Sequence, residues 1–202
     1  SPSQEVDVYY GAGNFFHLQH EFVLKEALDL ERRETDITTL AGYAGGRRTG
    51  DLERVCYSGF AGAPDHVALG HAQVVRVTLS EDKIADFTNL YLDTVDARRL
   101  IEKGPQFRNV IGVRGGLKSA LLPKIREAAS KRGVELVAGS GDDADNFGKA
   151  SLYVYDSKTF PFRAAEQQNQ FHDNLPEKFT FDYKEVADKL KKIGVISATG
   201  CP

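Results

Sequence analysis

Val6, Val8 and Tyr10 recur at every second position near the start of the chain, the period of a half-buried strand. Gly11-Ala12-Gly13 interrupts the pattern, and the spacing then becomes helical. Phe15, Leu18, Phe22 and either Val23 or Leu24 form one stripe, which Ala27 and Leu28 continue to about residue 30. Asn14 stands where the period changes and is a favoured N-cap residue. Residues 35–43 are β-branched and predict a strand closed by Gly45-Gly46, followed by a polar loop over residues 47–64. The pattern then predicts a long strand at 67–79, an amphipathic helix at 84–95, a strand at 107–113 and a third helix at 117–131. Short strands at 134–137 and 152–155 flank an acidic, glycine-containing stretch, 140–148, that reads as an exposed loop. Two short helices, near 164–172 and 183–190, precede an open segment at 197–202. The order β-α-β-β-α-β with an added helix predicts an α+β sandwich of ferredoxin-like type. No repeat or linker divides the 202 residues, so one domain is expected, with an extended tail from about residue 175.

Composition narrows the function classes. A net charge of −3 offers no surface for a polyanion, which argues against nucleic acid. No apolar run approaches the ~20 residues that cross a bilayer. The absence of Met, even at the start, predicts a processed chain or a trimmed boundary, with an organelle such as the chloroplast expected over the cytoplasm. Two cysteines, Cys56 and Cys201, are too few for a disulfide framework; they either pair or stay separate thiols.

The first strand, glycine turn and helix start make a site where backbone N–H groups and the helix dipole favour negative charge. Reactive thiolates are found at such places, because the dipole lowers a cysteine pKa; this chain has the amide of Asn14 there. His17 and His20 share a helix face as a metal pair would, but no further ligands follow at metal-site spacing, so no metal is expected. Gly11-x-Gly13 lacks the third glycine of a dinucleotide fingerprint, and Gly45-Gly46 lacks the Lys-Ser/Thr of a P-loop, so no nucleotide cofactor is expected. Asp142, Asp143 and Asp145 do not have EF-hand spacing and read as a solvated acidic loop.

Several segments, taken in order, resemble one family, the type A peptide methionine sulfoxide reductases. They are Gly11-Ala12-Gly13-Asn14-Phe15-Phe16, Gly42-Tyr43-Ala44-Gly45-Gly46, Arg54-Val55-Cys56-Tyr57-Ser58-Gly59 and Gly70-His71-Ala72-Gln73-Val74-Val75. Gln106-Phe107-Arg108 follows, then Phe160-Pro161-Phe162-Arg163-Ala164-Ala165-Glu166 with Gln170-Phe171-His172. The resemblance implies the chemistry of that family. A cysteine in the glycine turn attacks a sulfoxide sulfur and becomes a sulfenic acid, a carboxylate protonates the oxygen, tyrosine hydroxyls hold it, and a tail cysteine resolves the sulfenic acid.

Carried over residue by residue, much of that set is altered. The attacking cysteine corresponds to Asn14 and the acid to Arg54, with Glu53 one position earlier. One oxygen-binding tyrosine corresponds to Phe107 and the other is kept as Tyr43; the upstream aspartate corresponds to Glu102. The substrate pocket is expected from Phe15, Phe16, Tyr43 and His71, and Gln73 takes the place of a usual glutamate. Loss of a nucleophile removes the covalent route, whereas loss of one hydrogen-bond donor costs only about 10²–10³ in rate. The expectation is therefore a reductase-inactive chain acting as a binding, structural or regulatory subunit, with a protein partner or larger complex. Two alternatives remain: a sulfoxide reductase using Cys56 or Cys201, or another enzyme in which Asn14, Arg54 and Tyr43 hold an anionic ligand.

Overall fold

A computed structural model describes residues 3–98, 101–146, 148–172 and 181–202. Seven strands form one mixed sheet: β1 (Glu5–Gly11), β2 (Leu40–Ala44), β3 (Ala72–Ser80), β4 (Val110–Val113), β5 (Glu135–Ala138), β6 (Ser151–Asp156) and β7 (Arg163–Ala164), in the spatial order β5-β6-β4-β1-β3-β2-β7. β4 pairs parallel with β6 and β6 with β5, while every other pairing is antiparallel. Helices α1 (Phe15–Asp29), α2 (Ile84–Arg98) and α3 (Leu122–Ser130) join the inward-facing strand residues in one core. This is the expected α+β architecture.

The side-chain alternation of a strand sorts β1 between two cores. Val8 and Tyr10 face the helices, where Phe22, Phe87 and Tyr91 meet them. Tyr9 faces the other side with Val74, Val110 and Tyr155, under Phe160 and Phe162. Its ring crosses its register partner Gly112, where an added Cβ would come within 2.0 Å of the ring, so glycine is required there. Helix α4 (Glu185–Lys192) builds a third cluster, with Val186 and Leu190 against Val23, Ile37, Leu40 and Phe171.

Several boundaries differ from the sequence expectation, each for a local reason. The strand expected at 67–79 begins only at Ala72, because Asp65 Oδ1 accepts the Ala68 amide and Gly70, at φ 84°, closes a turn. The strand expected at 35–43 shortens to Leu40–Ala44, since Thr38 and Thr39 turn their hydroxyls and amides to Glu26. Residues 105–107 form a 3-10 turn opened by Pro105, which delays β4 to Val110. The helix expected at 117–131 splits into a 3-10 turn at Gly116–Lys118 and α3, which has a proline in its first turn. No α-helix forms at 164–172. Instead β7 pairs with β2, and the Gln170 side chain continues the edge by accepting from Ala41 N at 2.9 Å and donating to Ala41 O at 2.8 Å. The expected helix at 183–190 lies at Glu185–Lys192. The loop at 140–148 is stitched rather than loose: Asn146 is buried and bridges Asn109 and Ser151. The tail boundary expected near 175 lies outside the described residues. Among these, no helix is long and apolar enough to cross a membrane.

Candidate functional site

β1 runs into the turn Gly11-Ala12-Gly13, where Gly13 takes φ 68° and donates to Phe107 O at 3.1 Å. That bend delivers Asn14 to the head of α1 in an extended conformation (φ −71°, ψ 147°). Its Oδ1 accepts the His17 amide at 2.9 Å, the expected N-cap bond. Glu102 closes on the same residue from the opposite side, Oε2 accepting the Asn14 amide at 2.5 Å and Oε1 accepting Asn14 Nδ2 at 2.6 Å. The positive end of the helix is thus occupied by an internal carboxylate. This brings together Asn14, Glu102 and, through its backbone, Phe107.

A hydrogen-bonded chain leads away from the helix start. Phe15 N donates to Gln73 Oε1 at 3.1 Å, and Gln73 Nε2 donates to His66 Nε2 at 3.2 Å. With Nε2 accepting, the His66 proton sits on Nδ1 and is donated to Tyr57 O at 3.0 Å. Tyr57 N donates to Glu166 Oε2 at 2.9 Å, and Tyr43 donates its hydroxyl to Glu166 Oε1 at 2.8 Å. Burial holds His66 below the ordinary imidazole pKa, which keeps it neutral in this relay. Burial first, and then the Glu166 charge, raise the Tyr43 phenol well above its usual value, so it remains a donor. Aromatic rings enclose the relay: Phe15 lies 5.5 Å from Tyr43 and 6.1 Å from Tyr57, and Phe16 lies 4.5 Å from His172. Phe15, Tyr43 and Glu166 are buried, while Tyr57 is 39% exposed.

Other sequence candidates lie elsewhere. His71 is not in the aromatic cluster; its Nδ1 accepts from Gly46 N at 3.1 Å and its Nε2 donates to Arg48 O at 2.6 Å, and His66 takes the place expected for it beside Tyr43. Arg54 turns to the tail, donating to Gly200 O at 3.1 Å, and lines a cleft of about 120 Å³ with Asp51 and Cys56. Glu53 is exposed, at φ 59°, near Arg163. Cys56 and Cys201 are joined as a disulfide, which settles the pairing left open by their spacing. Asn14, Arg54 and Tyr43 therefore do not line up as an anion cleft, because carboxylates hold Asn14 and Tyr43 while Arg54 serves the tail. His20 packs buried against Tyr183 while His17 approaches Glu21, so the helix pair does not present one metal face. Asp142, Asp143 and Asp145 are not open ligands: they accept from Arg47 N, Ser140 and Gly141 N, and Gly104 N respectively. Among the described residues no cluster fit for a metal ion occurs.

His66 stands in none of the matched segments, and Tyr57 and Glu166, though inside two of them, have no role assigned by the sequence. Glu166 carried a signal, a lone carboxylate directly after the mostly apolar run 160–165.

Asn14→Asp isolates the Glu102 contact, because Asp caps a helix as well as Asn. It sets one carboxylate against another and should cost about 1–3 kcal/mol at neutral pH. Protonation of the introduced carboxyl relieves the repulsion, so the cost should be smaller at about pH 4 than at about pH 7. Urea unfolding at both pH values checks this; an equal cost at each would show that the contact is not electrostatic.

No protein-family profile matches the sequence, and no curated protein is significantly similar to it. Among solved structures, methionine sulfoxide reductase A of Corynebacterium diphtheriae superposes with a TM-score of 0.53 and 16% identity, over 89% of this chain and 79% of that one. Mxr1 from Saccharomyces cerevisiae in reduced form superposes with a TM-score of 0.51 and 16% identity, over 91% and 92%. The likeness is one of fold: the mixed seven-stranded sheet with its helices is that of methionine sulfoxide reductase A.

Proposed function

We propose that this protein uses the methionine sulfoxide reductase A fold to bind rather than to reduce, as a binding, structural or regulatory subunit of a protein assembly. One observation carries the reading. At the head of α1, where the helix dipole would activate a thiolate, stands the amide of Asn14, with Oδ1 on the His17 amide and Nδ2 on Glu102. An amide neither ionises to a nucleophile nor forms a sulfenic acid. Phe107 brings only a backbone carbonyl to the turn, and both sulfurs of the chain are joined to each other at the tail. What stays available is the rim of the aromatic bed, Phe16, Tyr57 and His172, suited to an apolar side chain of a partner.

The test is reduction of peptidyl methionine sulfoxide with a small dithiol in excess. No methionine above the uncatalysed background is expected. Turnover at about 1 s⁻¹ or faster, the lower range of ordinary enzymes, would end the reading. The dithiol also opens the Cys56–Cys201 bond, so the same assay probes the second reading, a reductase using one of those thiols. That reading is favoured by the nearness of a carboxyl group to the disulfide: Glu166 Oε2 accepts the amide of Tyr57, the residue after Cys56, and once protonated that group is a proton donor for a sulfoxide oxygen. In it, the freed thiol takes the sulfoxide oxygen and becomes a sulfenic acid as the sulfide leaves. Any turnover that survives both Cys56→Ser and Cys201→Ser eliminates it.

A further inference from the structure

We propose that a cleft on the outer face of the sheet, remote in composition from the Asn14 site, binds a free zwitterionic amino acid. The cleft has a volume of about 270 Å³ and is lined by Asp7, Val8, Tyr9, Arg76, Ser157 and Phe162. That falls short of the ~300 Å³ at which drug-sized pockets begin. The size selects a small metabolite.

Strand geometry sets the two charges on this wall. Asp7 and Tyr9 of β1, with Arg76 and Thr78 of β3, point away from the helices, because Val8, Val75 and Val77 take the inward positions. The register opposes Asp7 to Thr78 and Tyr9 to Arg76, so Asp7 and Arg76 are diagonal neighbours, roughly 7–8 Å apart at Cα. The two charges do not pair with each other. Asp7 Oδ1 accepts the Thr78 hydroxyl at 2.5 Å, and Arg76 Nη2 donates to Thr38 O at 3.0 Å. These tethers hold a carboxylate and a guanidinium apart on one wall, with the cleft alongside.

Arg76 is half-buried and has hydrogen-bonding capacity left over. The guanidinium stacks 5.6 Å from the Phe162 ring centre, and among the described residues its buried Nε–H has no acceptor and Thr38 O is its single hydrogen-bond partner. The Nε–H lies out of reach of solvent, so a ligand meets the Nη groups, and Nη1, without a protein acceptor among the described residues, makes the stacked guanidinium a pre-formed donor for a carboxylate. A simple anion would meet the Asp7 charge and a simple cation that of Arg76. A ligand carrying both signs a few atoms apart satisfies both walls: its carboxylate on Arg76, its ammonium on Asp7. The rings of Phe162 and Tyr9 then offer its side chain an apolar bed, with the Ser157 hydroxyl at the margin.

The experiment is NMR titration of the intact chain with L-leucine, L-methionine and L-phenylalanine, beside N-acetyl-L-leucine and L-leucinamide. At least one free amino acid is expected to bind with millimolar or tighter affinity, shifting resonances of β1, β3 and residues 157–162. Each blocked leucine should bind at least about tenfold more weakly than leucine, as loss of one charged hydrogen-bond partner requires. Arg76→Gln and Asp7→Asn should weaken binding by a similar factor. The blocked ligands test the idea on the unaltered protein, so a variant that fails to fold does not decide the matter. No binding by any of the three, equal binding of the blocked forms, or affinity untouched in a folded Arg76→Gln chain overturns the proposal. Because the site stands apart from the Asn14 turn, this outcome is independent of the sulfoxide assay.

Discussion

Glu26→Gln is expected to lower the free energy of unfolding by about 3–5 kcal/mol, the scale seen when one member of a buried, hydrogen-bonded ion pair is removed. The Glu26 side chain is fully buried, yet it is the most heavily bonded carboxylate among the described residues. Oε1 accepts Arg32 Nη1 at 2.7 Å and the Thr38 hydroxyl at 2.6 Å, and Oε2 accepts the Thr39 amide at 3.0 Å and its hydroxyl at 2.7 Å. A glutamine can keep one oxygen among these donors. Its NH₂ group would then face N–H and O–H groups that need an acceptor, and the Arg32 guanidinium would lose its buried counter-charge. Chemical unfolding in urea measures the change, and a loss under about 1 kcal/mol would mean that the network relaxes around the amide. The consequence reaches the site, because Glu26 ties the last turns of α1 to the segment entering β2. Those two elements carry Phe15 and Tyr43.

Local patterns made the Asn14 end of the site readable before the structure. The change of period at Asn14 located the helix start to within one residue, because capping and the apolar stripe are both short-range effects. The glycine turn was readable for the same reason. The other half of the site depends on pairings that no local pattern encodes. Tyr43 meets Glu166 across 123 positions, and Cys56 meets Cys201 across 145. Residues 67–70 show how a local pattern misleads: they are apolar enough for a strand, but the Asp65 side chain on the Ala68 amide, backbone turn bonds and Gly70 at positive φ turn them instead. Gln170 is a similar case, an amide side chain doing the work of strand backbone where composition had suggested a helix. The alternative of an anionic ligand held by Asn14, Arg54 and Tyr43 finds no support in the local electrostatics. The residues that converge on Asn14 and Tyr43 are acidic, and the one cation in the set, Arg54, points to the tail.

His71→Asn is expected to flatten the dependence of stability on pH. Burial, reinforced by the nearby guanidinium groups of Arg163 and Arg108, pulls the His71 pKa down from 6.5 to about 4. The folded protein therefore resists a proton that the unfolded chain accepts readily below about 6.5. The contribution of a neutral His71 is fully present above that pH, is lost progressively as pH falls toward about 4, and amounts to about 3 kcal/mol. His66 is shifted in the same direction by burial, so the variant should keep a residual slope rather than none. Unfolding free energies at several pH values from 4 to 7, compared between the two proteins, isolate the His71 share; parallel profiles would show that the imidazole does not resist protonation. The location gives the effect a structural meaning. His71 clasps Gly46 N and Arg48 O, where β2 hands over to the loop that carries Cys56 and Tyr57. A charged His71 Nδ1 cannot accept from Gly46, so acid loosens the joint between Tyr43 and the strand-to-loop arm that supplies Tyr57 to Glu166. Loss of order in the aromatic bed should therefore accompany the loss of stability, visible as broadening of the Tyr57 and Phe16 ring resonances below about pH 5 that is greater in the parent protein than in the variant, where only His66 is left to take up the proton beside Tyr57.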